Sequence, residues 1–591
     1  MRGSRFVAGL IVLAACGSNS GNAPIDAACL DADMDGVTTC AGDCDDNDPN
    51  NFPGNVEICG DAKDNTCDFT ADEGCGGLGT FVAGDPARGN DANPGTQAQP
   101  VQTVAKGMAN AAMLMTTTGN PQTVFVAQGH YPEAITLVEK MSLKGGYECN
   151  AGSCTWARDT AMFDTAIDNQ TYEGIVADTT ITKATSVDGF RIRGRAFSGT
   201  GTAPTVTGSA CVTINSGSPK LANNTFQPGA ISNAGAGNNR SIGIRVGSPT
   251  TDQTGVLIDN NIFTGAQAAD ASIGIVFFGT GQMAVAVITN NKITGATSAS
   301  SRGIAGFNAG PGTVIRANEI TGGSAAGAGD SWGIQLGGFA AIEQNRINVD
   351  QANVGTCTGT AWCGAVDAGA ATLTISNNIL FGPKGVRTTA VRLRDFEAAI
   401  GSVSLNGNYL DGAGTGIAAS QTTSAALVLG VNGGINVFVG RVRNNILMAG
   451  INLNRFGVIE DPNQAAAART VHTEAFENND IFFLPARTTG SDVLYRVMTA
   501  GMPGTPIDYA TIQTIEVGGT SGTNPSPIPI KNGAQATGNV SADPQVDSAL
   551  HLGGGSPCID TGTASEAPAT DYDGDGRPQR SGFDIGHDEV P

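Results

Sequence analysis

A six-residue unit recurs through this 591-residue chain: apolar, any, small or polar, Asn, any, apolar. It reads LANNTF from residue 221, IDNNIF from 258, ITNNKI from 288, IRANEI from 315 and IEQNRI from 342. It continues as ISNNIL, LNGNYL, VRNNIL and FENNDI from 375, 405, 442 and 476. Successive units lie 27 to 37 residues apart, a period that belongs to solenoids. The stretches between them are short, strand-like and punctuated by Gly and Asn, which excludes helical repeats. The sequence therefore predicts an all-β fold, a right-handed parallel β-helix of roughly a dozen coils stacked about 4.8 Å apart, with alternate apolar residues inside. A β-sandwich would explain the strands but not a shared Asn register. Asn224, Asn261, Asn291, Asn318, Asn345, Asn378, Asn408, Asn445 and Asn479 are assigned to the architecture. Asn suits a bend with left-handed backbone, and stacked amides can hydrogen-bond along the axis. A second track places Gly before an apolar residue: SIGI at 241 and 272, SRGI at 301, SWGI at 331, TGI at 415 and AGI at 449.

Composition agrees. With 83 Gly, 5% aromatic and 15% charged residues, the chain is too apolar for disorder and too Gly-rich for a helical protein. A net charge of −22 argues against nucleic acid as a partner. That charge is concentrated, because residues 26–75 hold 14 Asp and Glu against Lys63 alone.

At the N-terminus, Arg2 and Arg5 precede the apolar stretch Phe6–Ala15, which is too short to cross a bilayer as a helix. Residues 1–15 are read as an export signal. Leu13-Ala14-Ala15-Cys16 resembles the lipobox of bacterial lipoproteins. The resemblance implies lipid attachment at Cys16, a membrane partner through its acyl chains, and a lipidated linker over 16–26. Gly17 in place of Asp after the Cys implies the outer membrane. Export permits disulfides. Six cysteines fall in the acidic segment (Cys29, Cys40, Cys44, Cys59, Cys67, Cys75), and their fifteen pairings stay open. Cys149/Cys154 and Cys357/Cys363 read as local staples, while Cys211 and Cys558 have no evident partner.

Residues 31–49, DADMDGVTTCAGDCDDNDP, offer Asp31, Asp33, Asp35, Asp43, Asp45, Asp46 and Asp48. DxDxDG supplies alternating carboxylates and a sharp turn, but an EF-hand counted from Asp31 needs Glu where Gly42 stands. An all-oxygen set without His favours calcium over copper or zinc. The other reading is a disulfide-held acidic surface. Residues 27–76 resemble the metal-binding motif recurrent in surface lipoproteins and named after the copper protein MopE. Gly42-Asp43-Cys44-Asp45-Asp46, Asp48-Pro49, Pro53-Gly54, Glu57, Cys59, Asp64-Asn65, Cys67-Asp68 and Asp72-Glu73-Gly74 match it, whereas Thr66 and Phe69 depart.

GNDANPGTQAQPVQTVAKGMANAAM, 89–113, resembles the opening motif of pectate-lyase-like β-helix proteins, in which a Gly-Asn-Asp turn leads to a helix capping the first coil. Val101, Val104, Met108, Ala111 and Ala112 keep helical spacing. His130 is placed at a turn. Residues 536–591 resemble the closing segment of that superfamily, through Asp543-Pro544, Ser556-Pro557, Ile559-Asp560, Arg577-Pro578 and Asp584-Ile585-Gly586, and the coils fill 77–535. Asp571, Asp573 and Asp575 form a second DxDxDG, read equally as a further metal set and as a structural turn.

The superfamily includes polysaccharide lyases and glycosidases, but no lyase motif is present. Candidate glycan contacts are arginine pairs at period two, Arg191/Arg193, Arg392/Arg394 and Arg441/Arg443, directed outward with no Asp cluster at a shared coil position. The favoured reading is a calcium-binding module followed by a β-helix, for adhesion or for binding glycan or matrix. The alternatives are a lyase or hydrolase on an outward face and a purely structural coat protein. Alignment on the repeat also predicts that Lys292, Glu319 and Arg346 share one outward file, and Arg316 and Glu343 another.

Overall fold

The computed structural model describes residues 79–591 except 199–207, 233–238, 248–252, 279–282, 326–328, 370–371, 396–402, 415–421, 432–436, 439, 463–470, 484–489, 499–505 and 519–525. In the acidic segment it describes 33, 35, 37–38, 41–45, 47–53, 55 and 63–67. The chain divides into two units, Met1–Cys75 and Gly76–Pro591.

In the larger unit a coil lays down a long strand, a short strand before the repeated Asn and another after it. One coil gives Ser300–Ala309, Val314–Arg316 and Glu319–Thr321; the next gives Ser331–Gly338, Ala340–Glu343 and Arg346–Ile347. Equivalent strands pair in parallel, with Ile304 beside Ile334, Ile315 beside Ile342 and Ile320 beside Ile347. Among the described residues this stacking builds a 25-stranded and a twelve-stranded sheet, the arrangement of a β-helix solenoid. Much of the interior is apolar. Ile275, Ile304, Ile334, Val366, Val391, Leu427 and Val458 succeed one another along one file, all fully buried. Each such side chain is worth about 1.5–3 kcal/mol when removed from water, so the solenoid is held by its interior.

The repeated Asn residues form a continuous ladder. Each side-chain oxygen accepts from both the backbone N–H and the amide of the Asn one coil earlier; from Asn291 to Asn318 both distances are 3.0 Å. The ladder runs past Asn479 to Asn539, a rung the sequence pattern did not reveal. One expectation is corrected. The left-handed residue is the one before the ladder Asn: Asn223, Asn260, Asn290, Ala317, Gln344, Asn377, Asn444 and Asn478 have φ of 48° to 56°. Gly407 fills that position at φ 65°. The second track also changes. SIGI, SRGI and SWGI lie on long strands, but AGI at 449 follows the strand Ile446–Met448, and TGI lies outside the described residues.

The helix Val104–Thr118 starts at Thr103, whose hydroxyl accepts from Lys106 N. Asp91, the acid of the Gly-Asn-Asp turn, accepts from Gln102 N and Thr103 N, and Glu133 accepts from Val104 N and Ala105 N. Glu133 and the Thr103 hydroxyl thus satisfy the unpaired donors of the first turn, and Asp91 takes those of the two residues before it. Val104, Gly107, Met108 and Ala111 are buried. Gly107 is required by close approach, since a Cβ there would lie 2.4 Å from a Val82 methyl.

The C-terminal segment returns along the outside of the solenoid. Asn478 donates to Thr561 O, Asn444 to Thr563 O, Asn406 to Ser565 O, Asn377 to Thr570 O and Gln344 to Tyr572 O. Four of these five anchors are left-handed residues or their direct equivalents in the bend, so the bend also serves as the dock. Leu552, Cys558 and Ile585 of the segment cover Ile379, Tyr409, Ile446 and Met448. Under the segment the outward file runs Ile379, Tyr409, Ile446 and the buried Asp480, which accepts from the Cys558 thiol, whereas Lys292 and Glu319 earlier in the sheet are exposed and charged.

Candidate functional site

Outward positions of the long strands carry the chemistry. Arg302 stands one coil from Trp332 on one outward file. A parallel file runs Arg245, Val276, Ala305, Gln335, Asp367 and Arg392. Early in these files lies a groove of about 400 Å³, within the range of small-ligand sites. Ile273, Val276, Ala305, Phe277 and Phe278 form its apolar lining, Phe307 stands half exposed, and Arg240, Asp270, Ser300, Arg302 and Gln335 add polar groups. Arg302 is committed: its guanidinium bonds Asp330 Oδ1 at 2.7 Å and Gln335 Oε1 at 2.5 Å. Arg240 has no carboxylate partner among the described residues. Asp270 is the one carboxylate among the lining residues. Sequence reasoning missed Arg240, Asp270 and Phe307 because the SIGI and SRGI track was read for its inward residues alone.

All six predicted arginines are ion-paired. Arg191 meets Asp164 at 3.0 Å, and Arg193 meets Asp168, its file neighbour, at 3.1 Å. Arg392 and Arg394 both grip Asp367, which is fully buried. Burial works to raise that carboxyl, but the two guanidiniums outweigh it and hold it below the usual range. Gln335 donates a further bond to Asp367 at 2.9 Å, and the Arg392 guanidinium lies 4.6 Å from the centre of the Trp332 ring. Arg441 and Arg443 bond Glu566 of the returning segment, each at 2.8 Å, and Arg443 also bonds Glu477 at 2.7 Å. The charge files follow the predicted register: Lys292 beside Glu319 beside Arg346, and Arg316 beside Glu343.

In the smaller unit, carboxylate oxygens of Asp33, Asp35 and Asp43 lie within 4.8 Å of one another. Each fixes its orientation by accepting a backbone N–H two residues on, from Asp35, Val37 and Asp45 respectively. Three convergent carboxylates without a nitrogen or sulfur donor fit a hard cation such as calcium. Asp48 is engaged elsewhere, by Lys63 and Asn50. Burial opposes its ionisation, yet these partners hold its carboxyl below the usual range. Asp45 accepts from Asn47 N and stands outside the cluster. Asp31, Asp46 and Cys16 lie outside the described residues. Cys44 bonds Cys67, and Asn65 donates to Asn51 at 2.6 Å. In the larger unit Cys149–Cys154 and Cys357–Cys363 are the expected staples, and Cys211 and Cys558 are free and buried.

The second DxDxDG does not converge as a triad. Asp571 uses Oδ1 for the backbone N–H groups of Asp573 and Asp575, and Oδ2 for that of Glu589, which makes it a turn-closing group. Asp573 faces His551 instead, with Asp588 on the same imidazole nitrogen, at 3.4 and 3.1 Å. His130 lies on the strand Gly129–Tyr131 rather than in a turn, with Nδ1 3.1 Å from Asp168.

Comparison with protein-family models, with curated proteins and with solved structures gave no match for this chain.

Proposed function

We propose that the chain is a lipid-anchored cell-surface protein in which a right-handed β-helix of about a dozen coils, closed by the helix Val104–Thr118, binds glycan or matrix polymers. The supporting observation is the groove on the long-strand face, where an apolar floor, a half-exposed Phe307 and the cation of Arg240 meet. Sugar rings present apolar faces to such floors and polar edges to such rims. Hydrolysis needs two carboxylates across the bond, and the groove lining offers Asp270 alone, which favours binding over cleavage. Cys16 holds the chain at the outer membrane. Asp33, Asp35 and Asp43 are the core of a calcium site that braces the acidic module. The test is a polysaccharide panel on the full chain, read for both binding and release of unsaturated sugars. Saturable binding without release is the expected result. Release would turn the reading to a lyase, and absence of binding would leave the structural coat.

A further inference from the structure

In the closing segment three separate stretches bring one side chain each to a single point. The tight loop closed by the Val546–Leu552 bridge carries His551, the acidic turn closed by the Thr570–Gly576 bridge carries Asp573, and the last residues carry Asp588. His551 Nδ1 lies 3.1 Å from Asp588 Oδ1 and 3.4 Å from Asp573 Oδ2, and one nitrogen or oxygen of each of the three lies within 4.8 Å of those of the other two. The backbone fixes every carrier. His551 N donates to Asp547 Oδ1, Leu552 N donates to Asp588 Oδ2 at 2.7 Å, and Asp573 N donates to Asp571 Oδ1. Asp588 is buried, whereas the His551 and Asp573 side chains are 44% and 41% exposed, so the point is open to solvent on one side.

Hydrogen bonding alone leaves a remainder at this point. Nδ1 of an imidazole carries one proton at most, and here two carboxylates meet it. A divalent cation meets all three groups at once. Ligand atoms held tetrahedrally at about 2.0 Å from zinc lie about 3.3 Å apart, and the two separations from Nδ1 bracket that edge. Calcium takes about six to eight oxygens, whereas an imidazole with two carboxylates suits zinc. A second imidazole adjoins the point. His587, the residue before Asp588, is 1% exposed, and its ring stands across that of Tyr572, the residue before Asp573, with 5.7 Å between centres. Neither of its nitrogens has a hydrogen-bond partner among the described residues. Buried polar atoms left in this state accompany bound ions and ordered water.

We infer that His551, Asp573 and Asp588 form a zinc site, different in ligand chemistry from the all-carboxylate cluster of the smaller unit. The ion bonds His551 Nδ1, Asp573 Oδ2 and Asp588 Oδ1 and takes water on its open side. Because each ligand comes from a different stretch, the ion staples the end of the chain to the loop and the turn beside it. The site neither uses nor needs the long-strand groove.

Titration calorimetry of the full chain with zinc chloride tests this, in excess calcium so that all-oxygen sites are filled. One zinc per chain is expected to bind. His551→Gln and Asp573→Asn are each expected to weaken it at least tenfold, the lower end of what even an outer partner of a metal ligand contributes. Both side chains are partly exposed, so both variants are expected to keep the parent thermal midpoint without zinc. Zinc is expected to raise the midpoint of the parent and not that of His551→Gln, because an ion that binds only the folded chain stabilises it. His130→Gln, which alters an imidazole on another face, is expected to bind zinc as the parent does. No zinc uptake in excess calcium overturns the inference, as does unchanged affinity in both His551→Gln and Asp573→Asn. Loss of zinc in His130→Gln alone places the ion beside Asp168 and overturns it as well.

Discussion

Replacing Asn318 by Ala puts the amide ladder to a quantitative test. Asn318 is 1% exposed and stands mid-ladder. Its oxygen accepts from Asn291 N and Nδ2, both at 3.0 Å, and its amide donates to Ile288 O, Arg316 O and Asn345 Oδ1 at 2.8, 2.9 and 3.0 Å. Truncation strands the backbone N–H of Asn291, whereas Asn291 Nδ2 keeps Ile258 O and Thr289 O at 2.8 and 2.7 Å. A buried unsatisfied donor costs about 1–3 kcal/mol, so the expected loss is about 1–3 kcal/mol before any packing change. The natural control is Lys292→Ala. Lys292 is exposed and pairs with Glu319 at 3.3 Å, and such surface pairs contribute roughly 0–1 kcal/mol. Urea unfolding followed by far-UV circular dichroism reads both. Because coils contact only their neighbours, the ladder variant is also expected to split the transition, with the coils on either side of 318 separating in stability. A loss below about 1 kcal/mol for Asn318→Ala, no larger than that for Lys292→Ala, would refute the ladder as a main source of coil-to-coil cohesion.

Ala317 holds φ 54° without the side chain that makes this conformation tolerable elsewhere, so Ala317→Asn is expected to stabilise by about 1 kcal/mol in the same urea assay. Burial pushes Asp480 up to about 6, opposed by the N–H of Ala542 and the thiol of Cys558. Its folded-state value lies above that of the unfolded chain, so it contributes stability at low pH that is lost as pH rises from about 4 to about 6. Asp480→Asn is therefore expected to gain up to about 3 kcal/mol over the parent at pH 7 and little at pH 4, which paired melts at the two pH values check. Calorimetry on the full chain is expected to show calcium uptake that Asp33→Asn and Asp35→Asn weaken, up to millimolar concentrations at the weak end for extracellular modules. Cys16→Ser is expected to leave unprocessed or soluble protein in a membrane fractionation.

The coil register was legible because a single Asn recurred with apolar partners at fixed offsets, and only stacked coils explain that spacing. Its exact use was not legible: Asn occurs twice in most units, and sequence alone does not say which of Asn290 and Asn291 turns left and which ladders. Gln344 and Ala317 in the first of those positions were the available signal, since the backbone there tolerates several residues while the ladder accepts only Asn. The arginine pairs were found by period two, but their carboxylates come from neighbouring coils or, for Glu566, from a segment more than 120 residues away. Asp33, Asp35 and Asp43 were visible as a cluster by composition. The loss of Asp48 to Lys63 depended on a loop closure that no spacing encodes.

The most direct measurement is the affinity of the full chain for the strongest ligand of the polysaccharide panel, compared with that of an Arg240→Gln, Phe307→Ala double variant. Removing the Arg240 cation and the half-exposed Phe307 ring is expected to weaken binding by at least tenfold, about 1.4 kcal/mol, with the thermal midpoint retained. Lys292→Ala, on another face, is expected to bind as the parent does. Equal affinity of the parent and the double variant would contradict the assignment of the long-strand groove as the glycan-binding site.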